Sequence, residues 1–519
     1  MKVGAGTLTL SGPASYFAGT VVEEGVLQSV GGGLGGPVPT GLSVRSGATF
    51  RALSDEVVSS LDGAGSIEIG SHILELQGGG GYAFQDGVIS GTGSVRKIND
   101  QVQGLYGMNS FSGGLFIRGS KYDGVEVPSF GNAGEDGPLG RGSVTIGDAS
   151  GPGALHLYST GGSTSNRPFT LGFAGWFDII NGNSSVTLNG LLNGTGILAK
   201  DGLGELILTN AQNSFPGLVM IEKGVLSAPS IGASNAAGPL GAGNSILFGA
   251  PNLSEFGSGP GTFKLTTTGA QTTDRQFVMQ EGGGILDLPA GSTLILTHAT
   301  SGSGSMRKTG GGTLILEANA AHTGPTYVSD GVFSLQANMV GDVAVQNGTL
   351  ETSGGASRTV GALSLSGGMI SPGGVAVGGL NSGSLSLSGG TLRLDLASAS
   401  LYDSLQLTGS VTFSGQVELA IVLGFHPVNF QDVFRIIVND QTDAPSFADA
   451  NARFSYQGQL LADGDQFLVE SGAVSQLFAI DYGTNGGDND IRIAAVPEPC
   501  GCAFIVLGLL AVTQLRKRA

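Results

Sequence analysis

The sequence predicts an all-β chain wound as a solenoid, a parallel β-helix. Three observations carry this. Short runs of alternating residues recur throughout, a longer unit repeats in frame, and 93 of 519 residues are glycine. The alternating runs include "GTLTLS" (6–11), "GSIEIG" (65–70), "SVTLNG" (185–190), "TLILT" (293–297) and "SLSLSGGTLRLDL" (384–396). Apolar residues at i and i+2, punctuated by Gly, Asn and Asp, read as strands with one buried face and tight turns. No amphipathic helix stands out between residues 1 and 495.

The longer unit begins at a lysine. Residues 2–29 read "KVGAGTLTLSGPASYFAGTVVEEGVLQS". From Lys200 the chain reads "KDGLGELILTNAQNSFPGLVMIEKGVLS", and from Lys308 "KTGGGTLILEANAAHTGPTYVSDGVFSL". A degenerate copy starts at Lys97. A Gly-x-Gly lies ahead of the lysine in "GTGSVRK" (91–97), "GTGILAK" (194–200) and "GSGSMRK" (302–308). A single strand pair cannot bury its own apolar face, whereas stacked copies cover one another. A pair of β-sandwiches is the competing reading, and the repeated frame with variable spacers favours the solenoid. With coils of roughly 20–25 residues stacked about 4.8 Å apart, the rod expected is on the order of 80–100 Å.

The frame K-x-G-x-G-x-L-x-L…G…G-V-L resembles the autotransporter-associated β-strand repeat of bacterial surface proteins. It does so well over 2–29, 194–228 and 302–336, and loosely over 91–120. The resemblance implies a right-handed β-helical surface rod and transfers no catalytic residue. Repeat starts near 2, 97, 200 and 308 place the solenoid at residues 1–361. Larger residues then gather, among them Phe425, Phe430, Phe434, Phe447, Phe454, Tyr456, Phe467 and Phe478, with a Tyr402–Asp403 pair. Residues 362–495 are expected to be final rungs plus a β-rich cap, since an open strand edge invites aggregation.

Composition narrows the function. A net charge of −17 repels phosphate backbones and argues against nucleic acid. The mean hydropathy, +0.20, fits a long continuous interior. The only cysteines are Cys500 and Cys502, which excludes a disulfide scaffold or thiolate metal cage in the body. The five histidines, His72, His156, His298, His322 and His426, sit in no metal or nucleophile motif and read as isolated surface or turn residues. "GSGSMRKT" lacks the glycine that a phosphate loop needs directly before its lysine, so it reads as a repeat corner. Asp481, Asp488 and Asp490 are hard oxygen donors and weak candidates for calcium, without EF-hand spacing. A polysaccharide lyase or hydrolase would need carboxylates facing one groove. Asp86, Asp123, Asp136, Asp148, Asp178 and Asp201 are scattered, with no acidic pair repeating at rung spacing, so no enzyme is expected.

The end of the chain is different in kind. Val496, Pro497, Glu498 and Pro499 precede an uncharged run, 500–515, and then Arg516, Lys517 and Arg518. As a helix that run spans about 24 Å, slightly short of a bilayer core. The basic tail would stay cytoplasmic and residues 1–495 would face outward. Pro-Glu-Pro, apolar segment and basic tail, in that order, resemble the PEP-CTERM sorting signal. That resemblance implies recognition by an exosortase, cleavage near Pro497–Pro499, and a partner in extracellular polysaccharide or a neighbouring cell surface. "MKVGAGTLTLSG" has no apolar signal region, and the first repeat lacks its Gly-x-Gly, so the sequence is expected to begin inside a longer chain. An autotransporter passenger fragment is the nearest rival. It ranks second here because the chain ends in one helix rather than barrel strands.

Overall fold

Alternation produces strands whose even and odd residues face opposite sides, and the structure shows where each side goes. It is a computed structural model that describes residues 1–496 except 13–15, 17, 32–33, 35–37, 80, 99, 252–258, 354, 428–431, 441–442, 473 and 485–487. The fold is an all-β, right-handed parallel β-solenoid. It divides into two compact units, Met1–Met306 and Arg307–Ala519.

In the first unit a ten-stranded parallel sheet collects one strand from each successive coil, from Tyr82–Gln85 to Ser301–Gly302. A seven-stranded sheet, from Glu56–Val58 to Leu192–Gly194, forms another face. Inward residues stack in columns, each on its counterpart one coil away. Val125, Leu155 and Phe177 make one such column, all fully buried. Phe130, Phe169 and Phe177 fill the interior with ring centroids 5.4–6.0 Å apart.

The repeated lysine sits in these inward columns. Lys200 lies between Phe177 and Ile221, and Lys97 between Leu76 and Ile117. An ammonium inside a narrow apolar interior must find acceptors. Lys200 Nζ donates to the carbonyls of Asp201, Gly202 and Lys223 at 2.6, 2.8 and 3.2 Å. Lys308 Nζ does the same to Thr309, Gly310 and Asp330 at 2.8, 2.6 and 3.2 Å. Lys2 Nζ reaches Val3, Gly4 and Glu24 at 3.2, 2.5 and 2.8 Å. Each lysine therefore ties its own turn to the equivalent turn of the next coil. Burial pushes Lys200 down to about 7, with Asp178, Asp201 and Glu205 pulling it back up. Burial pushes Lys97 down to about 8.

The glycines of the frame follow from the same contact. Gly224 has φ +66°, and a Cβ there would lie 2.3 Å from Gly202 O. Gly25 and Gly331 repeat this geometry against Gly4 and Gly310. "GSGSMRKT" is such a corner, with Gly302 at φ +104°.

A second repeated device escapes the lysine frame. The loops "GPLGRG" (137–142) and "GPLGAG" (238–243) each wrap a buried arginine from a later coil. Arg275 donates to the carbonyls of Ala233, Gly241 and Gly243 at 3.1, 2.6 and 2.5 Å. Arg167 donates to those of Asn132 (2.8 Å), Gly140 (2.6 Å) and Gly142. Asn109 and Asn213 hold the same loops through Pro138 O and Pro239 O, at 2.8 and 2.9 Å.

In the second unit parallel coils continue to Phe454–Tyr456, which pairs with Val417–Leu423. The pairing then turns antiparallel. Val433–Val438, Ile491–Val496, Val474–Asp481 and Gln466–Ser471 lie side by side in that order. Phe413, Phe447, Phe454 and Tyr482 pack together here, and the Tyr482 hydroxyl donates to Leu461 O. Asp403 is buried, accepting from the N–H groups of Gly378 and Asp395 at 2.7 and 2.9 Å. Burial pushes its carboxyl up to about 6. Of the histidines read as surface or turn residues, His156 and His322 are buried. His322 shares a hydrogen bond with the Thr326 hydroxyl at 2.8 Å, and burial pushes it down to about 4.

Two outcomes test this reading. Lys200→Met leaves three carbonyls without their donor, and Gly224→Ala forces a side chain into a backbone contact. Each is expected to lower stability by about 1–3 kcal/mol in urea unfolding. For Asp403 the folded carboxyl titrates above the unfolded value of 3.8. Its stabilising contribution is full below about pH 4 and is lost as pH rises through about 6. The stability of the native chain relative to Asp403→Asn should therefore fall between those pH values in parallel melts.

Candidate functional site

The outer face of the ten-stranded sheet carries the richest side-chain chemistry. Because inward residues alternate with outward ones, Glu126, His156, Asp178 and Asp201 occupy one outward column on four neighbouring strands. His156 Nδ1 lies 2.9 Å from Asp178 Oδ2. His156 Nε2 is buried with no partner among the described residues. The Tyr106 hydroxyl donates to Glu126, and burial, reinforced by that bond, holds its pKa well above the ordinary phenol value.

Beside this column lies an apolar cluster of Ala154, Trp176 and Ala199, with Ile197 and Met220 against it. The loop preceding Gly124 covers it. Lys121 Nζ stands 5.3 Å from the Trp176 ring centre and 4.9 Å from that of Tyr122, and bonds Glu222 Oε2 at 2.9 Å. Burial draws Lys121 down, but the bond and charge of Glu222 outweigh it, so its pKa is raised. Cation–π contact and ion pair together fix the loop over the sheet.

The result is an open groove of about 530 Å³. Tyr82, Tyr122, Lys121, Glu126, His156, Asp178 and Asp201 line it, and the Gly202 corner forms part of the wall. Tyr82 is 70% exposed and Tyr122 46%. Tyr82 stacks on Phe84, with ring centres 6.4 Å apart. This corrects the expectation that acidic residues do not gather at rung spacing. His156, Asp178 and Asp201 follow one another at 22 and 23 residues, within the expected coil length, and the column is concealed because a histidine interrupts the acidic series and Glu126 stands 30 residues before it.

The calcium candidates lie elsewhere, in the second unit. Asp481, Asp488 and Asp490 converge on two arginines. Arg492 meets Asp481 at 2.7 Å and Asp488 at 3.2 Å, while Arg435 meets Asp488 and Asp490 at 3.1 Å. Arg435 and Arg492 stand directly opposite in the antiparallel pair, and the three carboxylates offset their repulsion. Burial raises Asp481, but the Gly483 N–H and the Arg492 guanidinium outweigh it and hold the carboxyl below its ordinary value. Among the described residues no group of three or more His, Cys, Asp or Glu is placed to hold a metal ion.

Val496 ends the last strand, its carbonyl accepting from Gln476 Nε2 at 2.9 Å. Pro497, Glu498, Pro499, the run 500–515 and Arg516, Lys517 and Arg518 lie outside the described residues. Among the described residues no helix is long and apolar enough to cross a membrane.

Comparison with known proteins bears on the repeats. A family model described as the passenger-associated-transport-repeat matches residues 2–28, 198–228 and 306–335. Each match spans one lysine corner and the glycine stacked on it. The loose copy at 91–120 lies outside these matches. The adhesin BmaC autotransporter of Brucella suis biovar 1 (strain 1330) is 29% identical over 336 residues, 64% of this chain and 10% of that protein. The chain thus spans about a tenth of that relative's length. The crystal structure of the Haemophilus influenzae Hap adhesin overlays 91% of this chain and 64% of its own at 12% identity and a TM-score of 0.29, too loose to support a structural argument.

The arginine–aspartate cluster yields a direct expectation. Asp490 has a side chain only 1% exposed. Arg435→Ala leaves that carboxylate short of a partner and should cost about 1–3 kcal/mol, read as a lower urea midpoint.

Proposed function

We propose that this chain is a non-enzymatic, adhesin-like β-solenoid passenger, exported to the cell surface or extracellular matrix. The supporting observation is the coincidence of three repeat matches with three structurally equivalent lysine corners. Similarity to an adhesin autotransporter over 336 residues points the same way. These comparisons favour the passenger reading, which sequence alone ranks second. Its second rank rested on how the given sequence ends, whereas the match to the adhesin runs through 64% of this chain and a tenth of that relative.

The work such a chain does is presentation. Residues 1–361 carry the repeats, and 362–495 act as the closing module, a role supported by the antiparallel strands from Val433 onward. Its partners are extracellular polysaccharide or a neighbouring cell surface. A finer step concerns delivery. Val496, Pro497, Glu498 and Pro499, followed by 500–515 and the basic tail, support sorting through a PEP-CTERM signal, transient anchoring in the inner membrane and cleavage by an exosortase.

Protease treatment of intact cells tests export, and mass spectrometry of the surface fraction tests sorting. Peptides from 1–495 should be shed from whole cells, and the mature C-terminus should lie near Pro497–Pro499. Protection until lysis would contradict export. A mature chain ending in Arg-Lys-Arg-Ala would contradict the sorting step alone.

A further inference from the structure

The geometry points to the outer groove of the first unit as a binding site for a neutral saccharide chain. Three features converge there. Exposed aromatic faces, Tyr82 and Tyr122, offer flat apolar surfaces of the kind that stack on sugar rings. Glu126, Asp178 and Asp201 share one outward column, with His156 on the coil between the first two, so polar groups run in a line suited to an extended ligand. His156 is 6% exposed and its Nε2 has no partner among the described residues, though it lines the groove. A buried ring nitrogen left unpaired is costly unless a ligand supplies the missing hydrogen bond.

Charge selects among ligands. Lys121 already bonds Glu222 and lies over Trp176 and Tyr122, so it is not available as an anion receptor. Glu126, Asp178 and Asp201 outnumber Lys223 along the groove, so its net negative charge disfavours uronates, sulfates and phosphates. A cationic peptide would compete with Lys121 for the same aromatic faces. With Nδ1–H donating to Asp178, Nε2 is left as an acceptor in the neutral ring, and sugar hydroxyls donate to it as well as to the carboxylates. The groove's volume of about 530 Å³ lies within the usual range for small-ligand sites, about 300–1,000 Å³.

This inference deepens the surface-binding reading and rests on it only for where the chain works. Binding to purified protein fails or succeeds independently of export. The test is calorimetric titration of the purified full-length chain with cellohexaose, mannohexaose and xylohexaose, alongside hexagalacturonate and hexalysine. At least one neutral hexasaccharide should bind, and Tyr82→Ala and Asp178→Asn should each weaken it tenfold or more. Tyr82 is largely exposed, so its variant should melt like the native chain. No binding of any neutral hexasaccharide, tighter binding of hexalysine or hexagalacturonate, or unchanged affinity in both variants would overturn the proposal.

Discussion

Everything in this fold depends on how one coil's corner carbonyls are satisfied by the next coil. Strands solve the problem along their length through parallel ladders. Corners cannot, because the chain turns and its carbonyls lose their ladder partners. A buried carbonyl without a donor is expensive. The repeated lysine supplies three bonds at one corner and links two coils with a single side chain. Buried Arg167 and Arg275 do the same work at longer loops. Glycine then becomes obligatory, since only a residue without Cβ lets the stacked turns meet.

This explains why so acidic a chain keeps basic residues in its interior. Lys97, Arg167, Lys200, Arg275 and Lys308 are almost fully buried. Arg167, Lys200, Arg275 and Lys308 act less as charges than as multiple donors aimed at backbone. Arginine's fixed fork suits the wider loops, and lysine's single ammonium suits the tight corner. The groove of the first unit is built on the outside mainly from carboxylates and aromatic rings, with Lys121 and Lys223 at its wall.

Much of the fold was legible from residue order. The alternating runs place strands, and the lysine frame marks corners that recur in the structure at Lys2, Lys200 and Lys308. The "GPLG" loops are equally repetitive, yet their meaning stays hidden because Arg167 and Arg275 lie on the next coil, about 25 to 35 residues downstream, outside any local motif. The groove was less legible still. Asp178 and Asp201 stand one coil length apart in sequence, but His156 and Glu126 join their column only once the strand register is known. Lys121 reaches Glu222 across intervening coils, a contact with no local signature.

A presentation scaffold works only if its outer face meets the outside, so accessibility in the living cell decides whether this one does. Residues 1–499 contain no cysteine, so Tyr82→Cys creates one reporter on the outer face of the first unit. Labelling intact cells with a membrane-impermeant maleimide is the direct measurement. The account predicts prompt modification of the variant in whole cells and none of the unsubstituted body. Modification only after the cells are broken would contradict it.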